Sequence, residues 1–394
     1  MRNFQLLAIL LLSFFVLQCT HQEEKKEGST FKKKTSRSAI KYAKGFEIED
    51  FGTHKIITLR QTWKKNNQTH QYVLYQNEKP ADILGATFFK VPITSIACMS
   101  LTHVAFLEKL GEEHSIVGIS GCDYVHSAKI NAKIANHTIH EIGQNQQIDY
   151  EFLVDKSPQI VMAYGINSAS SAILSKLEKL GLKTVLNSEY METHPLGKAE
   201  WIKFVAAFYN KSNFADSLFN SIEQEYLALL EITNKTIEKP TVFTGMPWSG
   251  SWYVPGAKSF QAQLFKDAGA TYLWQNNNEK SSVVKSKELI IDEAYNASFW
   301  LNQDSYKSIN AVVAYDENFR GFEAVEKEQL YNNDNRLNAR GGNDYWESGV
   351  VNPQWILKDL IKIFHPQLIT HQLYYYRKLT FLPQLRPADR KMEE

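Results

Sequence analysis

Hydrophobic patterning divides the chain into three regimes. Residues 6–17 are almost wholly apolar, broken by Ser13, and residues 20–34 are almost wholly polar. From residue 40 onward, apolar positions recur as in folded elements. Residues 55–59 and 71–75 are β-prone runs that predict two strands, with Lys64-Lys65-Asn66-Asn67 as the turn between them. That hairpin carries no evident chemistry. Residues 93–99, 115–120, 159–164 and 184–186 predict further strands. Residues 102–110 and 168–180 predict helices; Ile173, Leu177 and Leu180 share one face of the latter, and Gly111 and Gly181 are the stops. Strands alternating with helices imply an α/β lobe with a largely parallel sheet.

Residues 196–232 form a long helical stretch. Trp201, Val205 and Phe208 make one apolar stripe, and Phe219, Ile222, Tyr226 and Leu229 another. Residues 210–213 predict a break with Ser212 as a new N-cap. The first piece, about 14 residues, would be ~21 Å long, enough to cross between two lobes. After Pro240 the alternation resumes: strands at 241–244 and 299–301, helices at 259–268, 288–294 and 351–364. The layout is lobe, helix, lobe. Its boundaries are a signal at 1–18, a tether at 19–39 and a first lobe with a β-rich preface at 40–195. The inter-lobe helical segment follows at 196–235, the second lobe at 236–380 and a tail at 381–394.

The charged start Met1-Arg2-Asn3, the short apolar run and the polar flank make a secretory signal. About 12 apolar residues fall short of the ~20 that span a bilayer. The segment resembles the lipoprotein class of signal, in which a cysteine after the apolar core, here Cys19, receives the lipid. Gln18 stands where that class usually has a small residue, and an ordinary signal cut nearby or an uncleaved anchor are the alternatives. The polar run after Cys19 has almost nothing to bury and reads as a disordered tether. Export leaves Cys98 and Cys122 in an oxidising compartment, which permits a disulfide between them; two separate buried thiols are the other arrangement.

Charge nearly cancels, with 44 Lys and Arg against 43 Asp and Glu, so nothing points to a nucleic acid. Aromatics are plentiful: 8 Trp, 19 Tyr and 22 Phe. In open α/β sheets ligands bind beyond the carboxyl ends of the strands. Those ends offer Thr102, His103, Tyr124, Tyr164 and Tyr190 in the first half. In the second they offer Trp248, Trp252 and Tyr253, then Arg340 and Trp346 in a polar loop. Aromatic walls with few polar groups suit a flat or bulky ligand, and Arg340 suits an anionic group. Trp248 and Trp252 lie in a segment rich in Gly, Ser and Pro, which is poor core material. The sequence has no G-x-S-x-G elbow, P-loop, G-x-G-x-x-G or H-E-x-x-H. His137 and His140 have no acidic or thiol partner at zinc-ligand spacing. The reading is therefore not an enzyme.

The stretch Ser100-Leu101-Thr102-His103 with its helix, residues 116–121, Ile142-Gly143 and Asp149-Tyr150-Glu151-Phe152-Leu153 come in order. Residues 158–165 and 177–185, Asp267-Ala268-Gly269 and Tyr345-Trp346-Glu347 follow. Together they resemble the class III periplasmic substrate-binding proteins for ferric siderophores, haem and vitamin B12, over roughly residues 90–380. The phrase Pro195-Leu196-Gly197-Lys198-Ala199-Glu200-Trp201 and the ending at 360–366 resemble a lipoprotein subgroup. The resemblance implies an α/β fold of two Rossmann-like lobes joined by one long rigid helix, with the ligand in a cleft between them and the β-hairpin as an N-terminal extension. It implies a lipid-anchored monomer in the periplasm, on the inner or outer membrane or the cell surface. It implies an ABC permease and ATPase as partners, and no intrinsic cofactor, because the metal arrives already chelated as a ferric siderophore, haem or corrinoid. For haem, His103, Tyr124 and Tyr164 are candidate iron ligands. Better-known members meet the permease through a glutamate on each lobe. The matching stretches here, residues 168–171 and 269–272, contain none. The rival readings are a bare metal-ion receptor, a surface scavenger without a permease, and an extracytoplasmic enzyme.

Overall fold

The computed structural model describes residues 36–382 apart from 38, 61–68, 145–146 and 166–167. The signal, Cys19, nearly all of the tether, the turn at 64–67, the side chains of 168–171 and most of the tail lie outside the described residues. The expected hairpin is present as β3 (His54–Arg60) and β4 (Thr69–Tyr75), paired antiparallel. It is the middle of a five-stranded sheet with β1 (Ser36–Arg37), β2 (Phe46–Asp50) and β5 (Ala86–Lys90), in the order β1-β2-β3-β4-β5. Register places Phe46 opposite Leu59 and Ile48 opposite Ile57, and all four are buried. One face of the sheet is therefore apolar and must be covered.

The first lobe is a parallel sheet in the order β10-β9-β6-β7-β8. Its strands are β6 (Ile96–Cys98), β7 (Ile116–Ile119), β8 (His140–Glu141), β9 (Ile160–Ala163) and β10 (Thr184–Leu186). Between them run α1 (Leu101–Leu110), α2 (Ala128–Ala135), α3 (Tyr150–Lys156) and α4 (Ser168–Lys179). The C-cap residue Gly111 has φ 69, the left-handed conformation that ends α1. Two of these helices, α2 and α3, are only eight and seven residues long, too short for periodicity to announce them.

The linking segment is two helices, α5 (Pro195–Ala207) and α6 (Ser212–Thr233), separated where Asn210 takes φ 57. The break falls where expected. Ser212 is the first residue of α6, however, not its cap, and its hydroxyl meets Lys55 Nζ at 2.7 Å. Helix α5 touches α1 of the first lobe. It also touches two helices of the second, α7 (Phe260–Asp267) and α11 (Pro353–Phe364). Its other side takes the apolar face of the N-terminal sheet. Phe46 meets Trp201 at 4.8 Å between ring centroids, and Phe89 meets Phe208 at 5.5 Å. This explains why α5 is buried almost throughout and has no polar face. Its one acid, Glu200, is fully buried and accepts the amides of Lys41 (3.0 Å), Tyr42 (2.7 Å) and Ala43 (3.0 Å), with Lys203 at 3.2 Å.

The second lobe orders its main sheet β14-β11-β16-β17-β18, all parallel except the last pair. These strands are β11 (Thr241–Thr244), β14 (Thr271–Tyr272), β16 (Phe299–Leu301), β17 (Leu330–Asn332) and β18 (Arg377–Lys378). A small separate sheet joins β12 (Pro247–Trp248), β13 (Ser251–Val254) and β15 (Val283–Ser286).

One alternative left open is decided here and one expectation is corrected. Cys98 and Cys122 are free and buried, not bridged. Cys98 closes β6 opposite Ile119, whereas Cys122 lies in the turn beyond β7 with its Sγ directed at the Ile119 carbonyl at 3.7 Å. Burial pushes the Cys98 thiol well up, and Cys122 up to about 12. Trp252 is core, not cleft wall. Successive residues of a strand face opposite ways, so β13 turns Trp252 inward and Tyr253 outward. Trp252 is fully buried, packs on Phe243 and Trp300, and donates to the Thr244 carbonyl at 3.0 Å.

Removing the Glu200 carboxylate strands three amides and the Lys203 ammonium in the interior. Glu200→Ala is expected to cost about 3 kcal/mol in urea unfolding, and Glu200→Gln clearly less.

Candidate functional site

A cavity of 610 Å³ lies between the lobes, at the carboxyl ends of the first sheet. The start of α1 forms one side. Ser100, just past β6, caps the helix by accepting the Thr102 amide at 3.3 Å, and its hydroxyl lies 2.9 Å from Thr102 Oγ1. This turn brings Ser100, Thr102 and His103 to the cavity, with Ser120 and Gln144 beside them. Tyr164, after β9, and Glu189 and Tyr190, after β10, form the next side, the two tyrosine rings edge to face at 6.5 Å. Helix α5 contributes Pro195 and Lys198, and α7 adds Phe260 and Leu264. The second lobe closes the space with Tyr345 and Trp346 and the start of α11.

The ionisable groups of this lining nearly cancel. Burial pushes the Glu189 carboxyl up, held back by the Lys198 charge and the Thr102 hydroxyl. Burial lowers Lys198, opposed by Glu189 and Glu192. The Lys198 ammonium sits 4.6 Å from the centroid of Phe260. His103 is fully buried, and desolvation pulls it down to about 3, so its ring is neutral. The Met162 carbonyl lies near it, yet neither ring nitrogen makes a hydrogen bond of normal geometry. His103 thus activates no serine in this arrangement, and it reaches a ligand's metal only if its surroundings move. The Tyr190 hydroxyl is likewise buried without a well-formed partner, and burial, then Glu189, raises it to about 12. A cavity with offsetting charges, five aromatic residues in its wall and unused polar groups is suited to grip a bulky ligand by stacking and a few directed bonds.

Of the residues the sequence singled out, Thr102, His103, Tyr164, Tyr190 and Trp346 converge on this cavity. The others do not line it. Trp248 and Tyr253 face outward from the small sheet, 70% and 47% exposed, with ring centroids 6.4 Å apart. Tyr124 is half-exposed beside the second lobe. Arg340 is exposed and paired with Asp123 at 2.9 Å, so its guanidinium is engaged outside the cavity. Sequence reasoning passed over Lys198 and Phe260. Both sit on helices, and the strand-end rule looks only at loops. Among the described residues no cluster of three or more His, Cys, Asp or Glu could hold a metal ion.

The chain matches the profile of the periplasmic binding proteins over residues 96–337. It belongs to that family. The solved structures it resembles are of the class III type with the same two-lobed fold. One is a possible iron-binding periplasmic solute-binding protein of Staphylococcus epidermidis, 17% identical, with a TM-score of 0.55 over 70% of this chain and 99% of that one. Another is a periplasmic heme-binding protein of Pseudomonas aeruginosa, 14% identical, with a TM-score of 0.54 over 73% and 98%. Among sequence relatives, an uncharacterized lipoprotein of Methanocaldococcus jannaschii is 27% identical over 295 residues, 72% of this chain and 68% of that protein. Within the family, two lobes with a cavity between them are the solute-binding frame. Among the described residues no helix is long and apolar enough to cross a membrane.

Because His103 titrates lower in the folded state than when unfolded, its contribution to stability is complete above pH 6.5 and is lost as pH falls toward 3. The wild type is expected to lose about 1.4 kcal/mol per pH unit over that window from this group. His103→Phe should lack that slope when urea unfolding is followed from pH 7 to pH 4. Parallel profiles for the two proteins would show that His103 is not held neutral by the fold.

Proposed function

We propose that this binding protein captures a chelated-metal small molecule, a ferric siderophore, haem or a corrinoid, and delivers it to an ABC permease and its ATPase. The observation that carries the reading is the chemistry of the cavity wall. It presents aromatic faces and neutral polar groups, and its one lysine and one glutamate offset each other. Such a wall recognises an organic shell, whereas a bare cation needs converging anionic or imidazole ligands. The structural neighbours named for iron and heme point the same way. The protein works as a carrier: the ligand is held by contact alone and leaves unchanged. Lipidation at Cys19 would keep it near the permease, in keeping with the lipoprotein relative.

A thermal-shift panel of ferric siderophores, haem, cobalamin and free Zn²⁺, Mn²⁺ and Fe³⁺ tests this directly. A ligand at ~100 times its Kd adds about 2.7 kcal/mol to the folded state. One chelate is expected to raise the Tm. A shift with bare ions alone, or with nothing, would remove the proposal. With the responding chelate, Trp346→Ala should weaken binding about 3- to 10-fold, the usual worth of an aromatic contact. Trp248→Ala should leave the Kd unchanged, because that ring lies outside the cavity.

A further inference from the structure

The loop at 336–347 makes a set of contacts that core packing does not require. Its Glu347 carboxylate is buried and crosses to the first lobe, where it accepts the amides of His126 at 2.7 Å and Ser127 at 3.3 Å. Ser127 is the N-cap of α2, so the carboxylate sits at the amide end of that helix. Asn338 donates from Nδ2 to the carbonyls of Asp123 at 2.8 Å and Val125 at 2.9 Å. Its Oδ1 accepts the amides of Arg340 and Gly342, which fixes the loop's own curve. Gly342 lies so close to the first lobe that a Cβ there would fall 2.1 Å from the Tyr124 carbonyl oxygen. Asp344, buried and held by Arg336 at 2.6 Å, faces His126 at 3.9 Å. The two residues between Asp344 and Glu347, Tyr345 and Trp346, form part of the cavity wall.

We propose that residues 336–347 are a latch that fastens the second lobe to the 122–127 loop of the first and positions Trp346 against the cavity. Three features distinguish it from ordinary contact. Its polar atoms meet backbone groups of the opposite lobe, which a shift of either lobe would break together. Its carboxylate is withdrawn from water by the contact, and burial raises Glu347 to about 7 even against the two amides it accepts. Its closest approach is open only to glycine. The latch resides in the Glu347 and Asn338 bonds and the Gly342 approach. The Arg340–Asp123 pair is solvent-exposed and adds little. When the latch parts, Trp346 leaves with its loop, and that side of the cavity opens. The consequence for ligand release rests on the capture function proposed above; the latch itself does not.

Hydrogen–deuterium exchange of the ligand-free full chain tests it without any ligand. Gly342→Ala wedges the two loops apart, and Glu347→Ala removes the buried acceptor. Both are expected to speed exchange of amides at 122–127 and 336–347 about tenfold or more, as for a local opening, while β6, β7, β11 and β16 exchange as in wild type. Arg340→Ala should match wild type. Wild-type protection of both loops in Gly342→Ala and Glu347→Ala would overturn the proposal. So would faster exchange spread evenly through both sheets, which would make the contact ordinary packing. If no chelate binds in the thermal-shift panel, this exchange result stands unaltered.

Discussion

A helix buried almost throughout organises this protein. Helix α5 receives the N-terminal sheet on one side and helices of both lobes on the others, and its aromatic residues Trp201 and Phe204, with Phe208 at its C-cap, are fully buried. An apolar rod of this kind is stable only while every surface around it stays in place, so the lobes and the N-terminal sheet are bound to a common axis. Glu200 adds direction to an interaction that apolar contact alone would leave loose. A buried carboxylate needs its donors, and the backbone at 41–43 with Lys203 supplies them.

That constraint shapes the cavity. Pro195 and Lys198 belong to α5, so part of the binding surface is the structural axis itself. The turn from β6 into α1, Tyr164 after β9 and Tyr190 after β10 are carried by a fully parallel sheet. The second lobe's contribution is different. Tyr345 and Trp346 ride on a loop that reaches the first lobe through Glu347 and Asn338. The cavity thus has one side built on α5 and the first sheet, and another built on a loop fastened across the lobes.

Much of the fold was legible in the chain. The strands at 184–186, 241–244 and 299–301 fall where their apolar runs place them, and the break near Asn210 falls where polar residues interrupt the helical stripes. Short apolar runs bounded by turn residues and a 3.6-residue stripe are local signals, and a neighbour cannot erase them. The sheet of five strands was seen only in its central hairpin, although β2 pairs with its neighbour β3 across a short turn and alternates Phe46 and Ile48 with acids. The site was legible in part. Thr102, His103, Tyr164 and Tyr190 follow strands of one parallel sheet, whose carboxyl ends share one edge.

By itself, then, the sequence determined the alternation of strands and helices in two α/β halves, the interrupted helical stretch between them and one set of strand ends that meet at the cavity. These follow from periodicity, capping and chain direction, which act over a few residues. Only the tertiary structure decided which of the aromatic residues line the cavity. Trp252 and Trp248 lie on the two strands of one hairpin, yet one is core and the other faces water, because strand register assigns the faces. Only the tertiary structure turned Arg340 away to Asp123, buried His103 until its ring became neutral, and carried the Glu347 carboxylate across to the amides at 126 and 127. The partners of Arg340 and Glu347 lie 217 and 221 positions away along the chain, and no local pattern records them.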